Sequence, residues 1–206
     1  MRSMLRISTL LLAALLSGTT AATAQSGKTN TFHDPTYKIS FDYPANWNFA
    51  SADHEISTFH LDARSAPRNA SMRAVAAMPE NPYPLSTFSG AYMYFSVTPK
   101  SSESACAKQA SPPKTTATPK SSRATAKVTI ADIPFTNGHD AQREVCIIQL
   151  DDVYTTLHRG ACYRFDLAIN KFCSQVSGAK DLSGKELEQV WSRLESILST
   201  VRFDPK

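Results

Sequence analysis

The segment that most constrains the fold runs from residue 161 to 172. Tyr163, Phe165, Leu167 and Ile169 fall on one face of an extended chain there, and Arg164 and Asp166 fall on the other. Successive side chains of a strand point to opposite faces, so this alternation describes a strand with one face in a core. Two more apolar runs precede it, at residues 141–150 and 153–157. Between them and the strand, Gly160 can adopt the positive φ that a tight turn demands, which makes His158-Arg159-Gly160-Ala161 a hairpin tip. If the turn has two residues, His158 faces Ala161, and the same register carried to the far end sets Cys146 opposite Cys173. A bulge near Asp151-Asp152 would move that register by one residue.

The rest of the chain extends this pattern. Residues 37–43 alternate apolar and polar side chains up to Pro44, and Trp47 follows in a short turn. Further strands are expected at residues 56–61, 72–78, 91–97 and 128–130, separated by clusters of Pro, Asn, Ser and Asp, as in a meander of short antiparallel strands. Residues 101–109 suit a short helix, and Asn137-Gly138 suits a turn. Ser183 with Glu186 forms a capping box, and Leu187, Val190, Trp191, Leu194, Ile197 and Leu198 follow at helical spacing, giving one apolar stripe. Val201-Arg202-Phe203 then reads as a final strand.

The N-terminus has the grammar of a secretory signal peptide: Arg2 and Arg6, an apolar run over residues 7–16, and small residues ending in Ala22-Thr23-Ala24. That run is shorter than the roughly 20 residues needed to span a bilayer. Cleavage after Ala24 would leave residues 25–206 as a single periplasmic or secreted domain with no membrane span. Arg2 and Arg6 leave with the leader, so the formal charge falls from +4 to +2. Residues 100–127 hold six bases and one acid, Glu103, so this one tract accounts for the positive charge and the rest of the mature chain is net acidic. A basic nucleic-acid face is therefore not expected. Residues 111–126, rich in Ser, Thr, Pro and Lys and without aromatics, read as a disordered internal loop.

Cys106, Cys146, Cys162 and Cys173 all lie in the exported part, and an even count in an oxidising compartment reads as two disulfides. With Cys146 joined to Cys173, the second pair is Cys106 and Cys162. No zinc-ligand spacing, GxSxG motif or Gly-rich phosphate loop occurs, so no metal, cofactor or catalytic residue is assigned. Cys162 with His158 is the one local thiol–imidazole pair, and the disulfide reading competes with it. His33, His54, His60 and His139 are dispersed. His139-Asp140 is read as a loop, and Asp151-Asp152 as a turn or bulge. Tyr83, Tyr92, Tyr94 and Phe95 could line a groove, although aromatics are ordinary sheet-core residues. Asn69-Ala70-Ser71 is a sequon, relevant only in a host that glycosylates exported proteins.

Tyr43-Pro44 with Trp47 after an early strand, a central antiparallel sheet, and a last helix running through Trp191, Leu194 and Ile197 into Ser199-Thr200-Val201-Arg202-Phe203 resemble the PsbP-like family. The resemblance implies an α+β fold, an antiparallel β-sheet flanked by helices in an α/β/α sandwich. It also implies a non-catalytic assembly or binding role with an unidentified protein partner. No ligand site of the family transfers to residues here, and fold alone does not assign function. The competing expectations are a small extracytoplasmic hydrolase or thiol-dependent enzyme, and a structural or stress protein without a ligand.

Overall fold

The computed structural model describes residues 27–51, 56, 67, 69–79, 81–111, 125–144, 146–174 and 178–205. The leader expected at residues 1–24 lies outside them. So do His54, His60, all but Ile56 of the strand expected at 56–61, and residues 112–124 of the expected loop. Among the described residues, ten strands and two helices follow in chain order: β1 Thr29–Asp34, β2 Ile39–Pro44, β3 Asn48–Ala50, β4 Ser71–Ala77, β5 Phe88–Thr98, α1 Glu103–Lys108, β6 Ala126–Ile130, β7 Ile133–Glu144, β8 Ile147–His158, β9 Ala161–Phe172, α2 Gly184–Leu198 and β10 Arg202–Phe203.

Seven strands form one sheet in the order β3-β4-β5-β9-β8-β7-β6, and β1-β2-β10 form a second, smaller one. All the paired strands are antiparallel. The β8–β9 hairpin runs from Ile147↔Phe172 to His158↔Ala161 without a bulge, the register set by a two-residue turn at Arg159-Gly160.

The alternation in β9 assigns the two faces of the large sheet. Tyr163, Phe165, Leu167 and Ile169 join Ala91, Met93, Phe95 and Val97 of β5 in the main core. The small sheet adds Ile39 and Phe41 to that core, and α2 adds Val190, Leu194, Ile197 and Leu198. The Phe95 and Phe165 rings stack at 4.8 Å, and Phe41 meets Phe95 edge-on at 6.0 Å. Burying each such side chain contributes roughly 1.5–3 kcal/mol relative to exposure. The residues between them face the other way, where α1 covers the sheet through Cys106, bonded to Cys162 of β9. Helices thus lie against both faces of an antiparallel sheet, which is the α+β sandwich expected from the sequence.

Three local expectations fail. Asn137-Gly138 is not a turn but the middle of β7; the turn before β7 is Ala131-Asp132, both with positive φ (49° and 61°). Gly138 serves a different need, because a Cβ built there would overlap the Ala110 carbonyl just beyond α1. The loop expected at His139-Asp140 is also part of β7, and the apolar run 141–150 is divided between β7 and β8, where Cys146, with φ of 61°, turns the chain. Asp151-Asp152 is neither turn nor bulge but lies within the unbroken β8.

Candidate functional site

Because Asp151 and Asp152 are neighbours in a strand, they serve opposite faces of the sheet. Asp152 lies on the side of α2, opposite Leu167 in β9 and His139 in β7. Its carboxylate pairs with His139 Nδ1, and the two side chains are 16% and 35% exposed. The expected loop at His139-Asp140 is therefore a strand that brings an imidazole to a carboxylate 13 residues away. A neutral His139 would hold its proton on Nδ1 toward Asp152, leaving Nε2 as an acceptor.

Helix α2 supplies the other wall. Its buried stripe faces the core, and one step around the helix Glu188, Trp191, Ser192 and Glu195 recur at spacings of three and four, which places them along one flank. Leu187 and Trp191 are half-buried there against the core cluster. Between this flank and Asp152 lies an open groove of about 500 Å³, lined by Asp152, Gly184, Leu187, Glu188, Trp191, Ser192 and Glu195. That volume falls in the roughly 300–1,000 Å³ range of ligand pockets.

The groove has an apolar floor and an acidic rim. Partial burial, together with the nearby Asp152 carboxylate, pushes the Glu195 carboxyl above its ordinary range. Tyr154, buried beneath, is held strongly to its neutral phenol by burial and then by the Asp152 and Glu195 charges. The local field is therefore negative. A smaller groove of about 210 Å³ lies between α1 and the β6–β8 region, lined among others by Glu103, Cys106, Lys127 and Leu157. It lies below the ordinary size of a ligand pocket.

The other candidates from the sequence are placed as follows. Cys162 is bonded to Cys106 and Cys146 to Cys173, with Cα separations of 5.3 and 4.7 Å, so Cys162 presents no thiol to His158. His158 instead stacks on Phe203 at 3.9 Å. His33 Nε2 pairs with Asp204 at 2.9 Å on the far side of the small sheet. Asp151 lies on the face opposite the groove, where Arg164, itself buried, donates from Nε and Nη2 to Asp166 at 2.8–3.0 Å. Burial alone would lower the Arg164 pKa, but Asp166, Asp151 and Asp140 outweigh it and raise it.

The four aromatics share no groove. Phe95 is in the main core, Tyr92 and Tyr94 are on the opposite face, and the Tyr83 hydroxyl donates to Gln189 of α2 at 2.9 Å. Asn69 of the sequon is exposed. Among the described residues no group of three or more His, Cys, Asp or Glu side chains is placed to hold a metal ion, and no helix is long and apolar enough to cross a membrane.

Sequence reasoning missed Glu188 and Glu195 altogether and placed Trp191 only in the buried stripe. The recurrence of Glu188, Ser192 and Glu195 beside Leu187 and Trp191 was the available signal.

No family model matches the chain, and no curated protein matches it. Solved structures do. One, from Bacteroides thetaiotaomicron VPI-5482, aligns at 13% identity and a TM-score of 0.46, over 87% of this chain and 49% of that one, so the chain spans about half its length. A second, LpqN, involved in cell envelope biogenesis of Mycobacterium tuberculosis, aligns at 10% identity and a TM-score of 0.47, over 86% and 91% of the two chains. A third, the cyanobacterial PsbP (CyanoP) of Synechocystis sp. PCC 6803, aligns at 12% identity and a TM-score of 0.46, over 90% and 99%. No residue role passes from any of them to this chain.

Proposed function

We propose that this chain is an exported, non-catalytic domain that binds a protein partner in the cell envelope through the groove beside α2. The observation that carries the reading is the groove itself: a half-buried tryptophan and leucine floor ringed by carboxylates, held on rigid elements. Apolar surface with a few placed charges suits recognition of another molecule. The joined cysteine pairs accord with an oxidising compartment. The test is a photo-crosslinking residue placed at Ser192, with capture in envelope extracts compared against the same residue placed at exposed Glu103. Specific capture from the groove position is expected; equal or absent capture at the two positions would overturn the assignment. Amino-terminal sequencing of the exported protein should begin at Gln25.

One observation favours a hydrolytic alternative. His139 is oriented by Asp152, as the base of a nucleophilic site would be, and Ser192 lines the groove that Asp152 also lines. Among the described hydrogen bonds none joins Ser192 to His139. A fluorophosphonate probe decides the matter: labelling that is lost in Ser192→Ala would favour a hydrolase, and no labelling is expected.

A further inference from the structure

We propose that the Cys146–Cys173 disulfide is a redox latch on the open end of the β8–β9 hairpin, which an external dithiol reduces ahead of Cys106–Cys162, freeing the β7–β8 turn to part from β9. The dithiol is a small molecule or a protein that carries two neighbouring thiols.

The two disulfides differ in access. Cys106 and Cys162 are 2% and 0% exposed, enclosed between α1 and β9. A thiolate must reach a disulfide sulfur to open it, so this bond yields only after α1 leaves the sheet. Cys146 and Cys173 are both half-buried and lie one rung beyond Ile147 and Phe172, at the end of the hairpin.

Three features prepare that end to part once the bond is cut. Cys146 has a φ of 61°, a left-handed backbone in which the Cβ of an L residue crowds the following carbonyl. Gln149 and Asn170 face each other two rungs further in, 1% and 0% exposed, and neither amide has a hydrogen-bond partner among the described residues. Buried and unpaired, their oxygens and nitrogens oppose the closed pairing, and parting of the strands would give them water. Apolar anchorage is slight, since neither Ile147 nor Ile148 joins a core cluster and Phe172 is 44% exposed. Strand β9 itself stays in place, because the Phe172 N–H donates to the Thr87 carbonyl at 2.8 Å and Lys171 pairs with Phe88 on the β5 side. The part that moves is therefore the turn and the first rungs of β8.

The opening is a thiol–disulfide exchange. One thiolate of the dithiol bonds to one protein sulfur and expels the other cysteine as a thiolate. The second thiol then displaces the bound cysteine, so that the dithiol leaves as its own disulfide and Cys146 and Cys173 remain as thiols, reduced by two electrons and two protons.

The test uses the intact, oxidised protein. Dithiothreitol is raised from about 0.01 to 10 mM, and the thiols freed at each step are alkylated and assigned by mass spectrometry. Cys146 and Cys173 are expected to be freed at concentrations at least about tenfold lower than Cys106 and Cys162. In the protein reduced at that one bond, hydrogen exchange over residues 147–150 should quicken at least about tenfold, with exchange over residues 163–169 unchanged. Cys146→Ala with Cys173→Ala should show the same faster exchange with no reductant present. Gln149→Met with Asn170→Leu, apolar replacements of similar shape, should slow exchange over 147–150 in the reduced protein at least about threefold. Opening of both disulfides together, opening of Cys106–Cys162 first, or unaltered exchange over 147–150 would overturn the proposal. So would an apolar double variant that exchanges as fast as its parent.

Discussion

Asp34 is a carboxylate with 1% exposure at the end of β1. It accepts from the Thr36 and Tyr37 N–H groups at 2.9 and 3.0 Å and from Arg73 Nε at 2.6 Å. Burial works to raise its pKa from the ordinary 3.8, and these donors outweigh it, led by Arg73, so the folded value is lowered. An unfolded chain then binds more protons than the folded one in acid, and stability rises with pH through that window. The contribution is complete above 3.8 and is lost as the pH falls through the lower folded value. Arg73→Ala should cost about 2 kcal/mol at neutral pH, less than for a fully buried pair because two donors remain and Arg73 is partly exposed. Urea titrations of both proteins between pH 7 and 3 check this, and the variant should begin its acid loss at higher pH. Gly138 is as constrained by sterics as Asp34 is by charge. Gly138→Ala must push the Ala110 carbonyl aside and is expected to cost about 3 kcal/mol. An unchanged melting temperature in that variant would contradict the close packing of the α1 end on β7.

At the scale of elements, the capping box of α2 works from both ends, the Glu186 N–H donating to Ser183 Oγ at 3.3 Å and the Ser183 N–H donating to Glu186 Oε2 at 2.8 Å. The Ser183 hydroxyl, which also donates to Glu186 Oε2 at 2.7 Å, and then the Ser183 N–H hold the Glu186 carboxyl below its ordinary range. Ser183→Ala should lower stability by about 1 kcal/mol, read as a shift in denaturation midpoint at constant slope. It was also the element most legible in the sequence, because a cap and a stripe at helical spacing are local signals. The β8–β9 hairpin was legible for the same reason, its alternation and Gly160 lying within 26 residues of chain. The turn at Ala131-Asp132 was not, since Ala131 does not advertise a positive φ and Asp132 does so less strongly than Asn137-Gly138, which was read as the turn instead. That one exchange hid β7, and without the β7–β8 register nothing in the sequence could bring His139 to Asp152. Strand β1 was hidden too, because Thr29–Asp34 is mostly exposed and lacks an alternating face. The groove itself needs α2 docked against that register, a relation between elements distant in the chain.

Across the whole molecule, two cysteine pairs brace the large sheet. Cys106–Cys162 ties α1 to the central β9 and closes 56 residues, and Cys146–Cys173 closes the open end of the hairpin over 27. Constraint of the unfolded chain by loops of these lengths corresponds to about 4 and about 3.5 kcal/mol. Replacing the first pair by serines should therefore destabilise somewhat more than replacing the second. Thiol titration of the denatured, unreduced protein should find no free thiol, and a peptide map should join Cys106 to Cys162 and Cys146 to Cys173; a Cys146 to Cys162 link would refute this pairing. The small sheet is organised differently, since β2 sits between β1, just before it in the chain, and β10, more than 150 residues later, with Arg202 facing Ser40 and Phe203 facing Ile39. A ribosome or an export channel releases a chain from its N-terminal end, so the large sheet can assemble while β2 still has one bare edge. The stacking of Phe203 on His158 and the pairing of β10 with β2 can therefore form only after residues 202 and 203 emerge, long after β1 and β2 have done so.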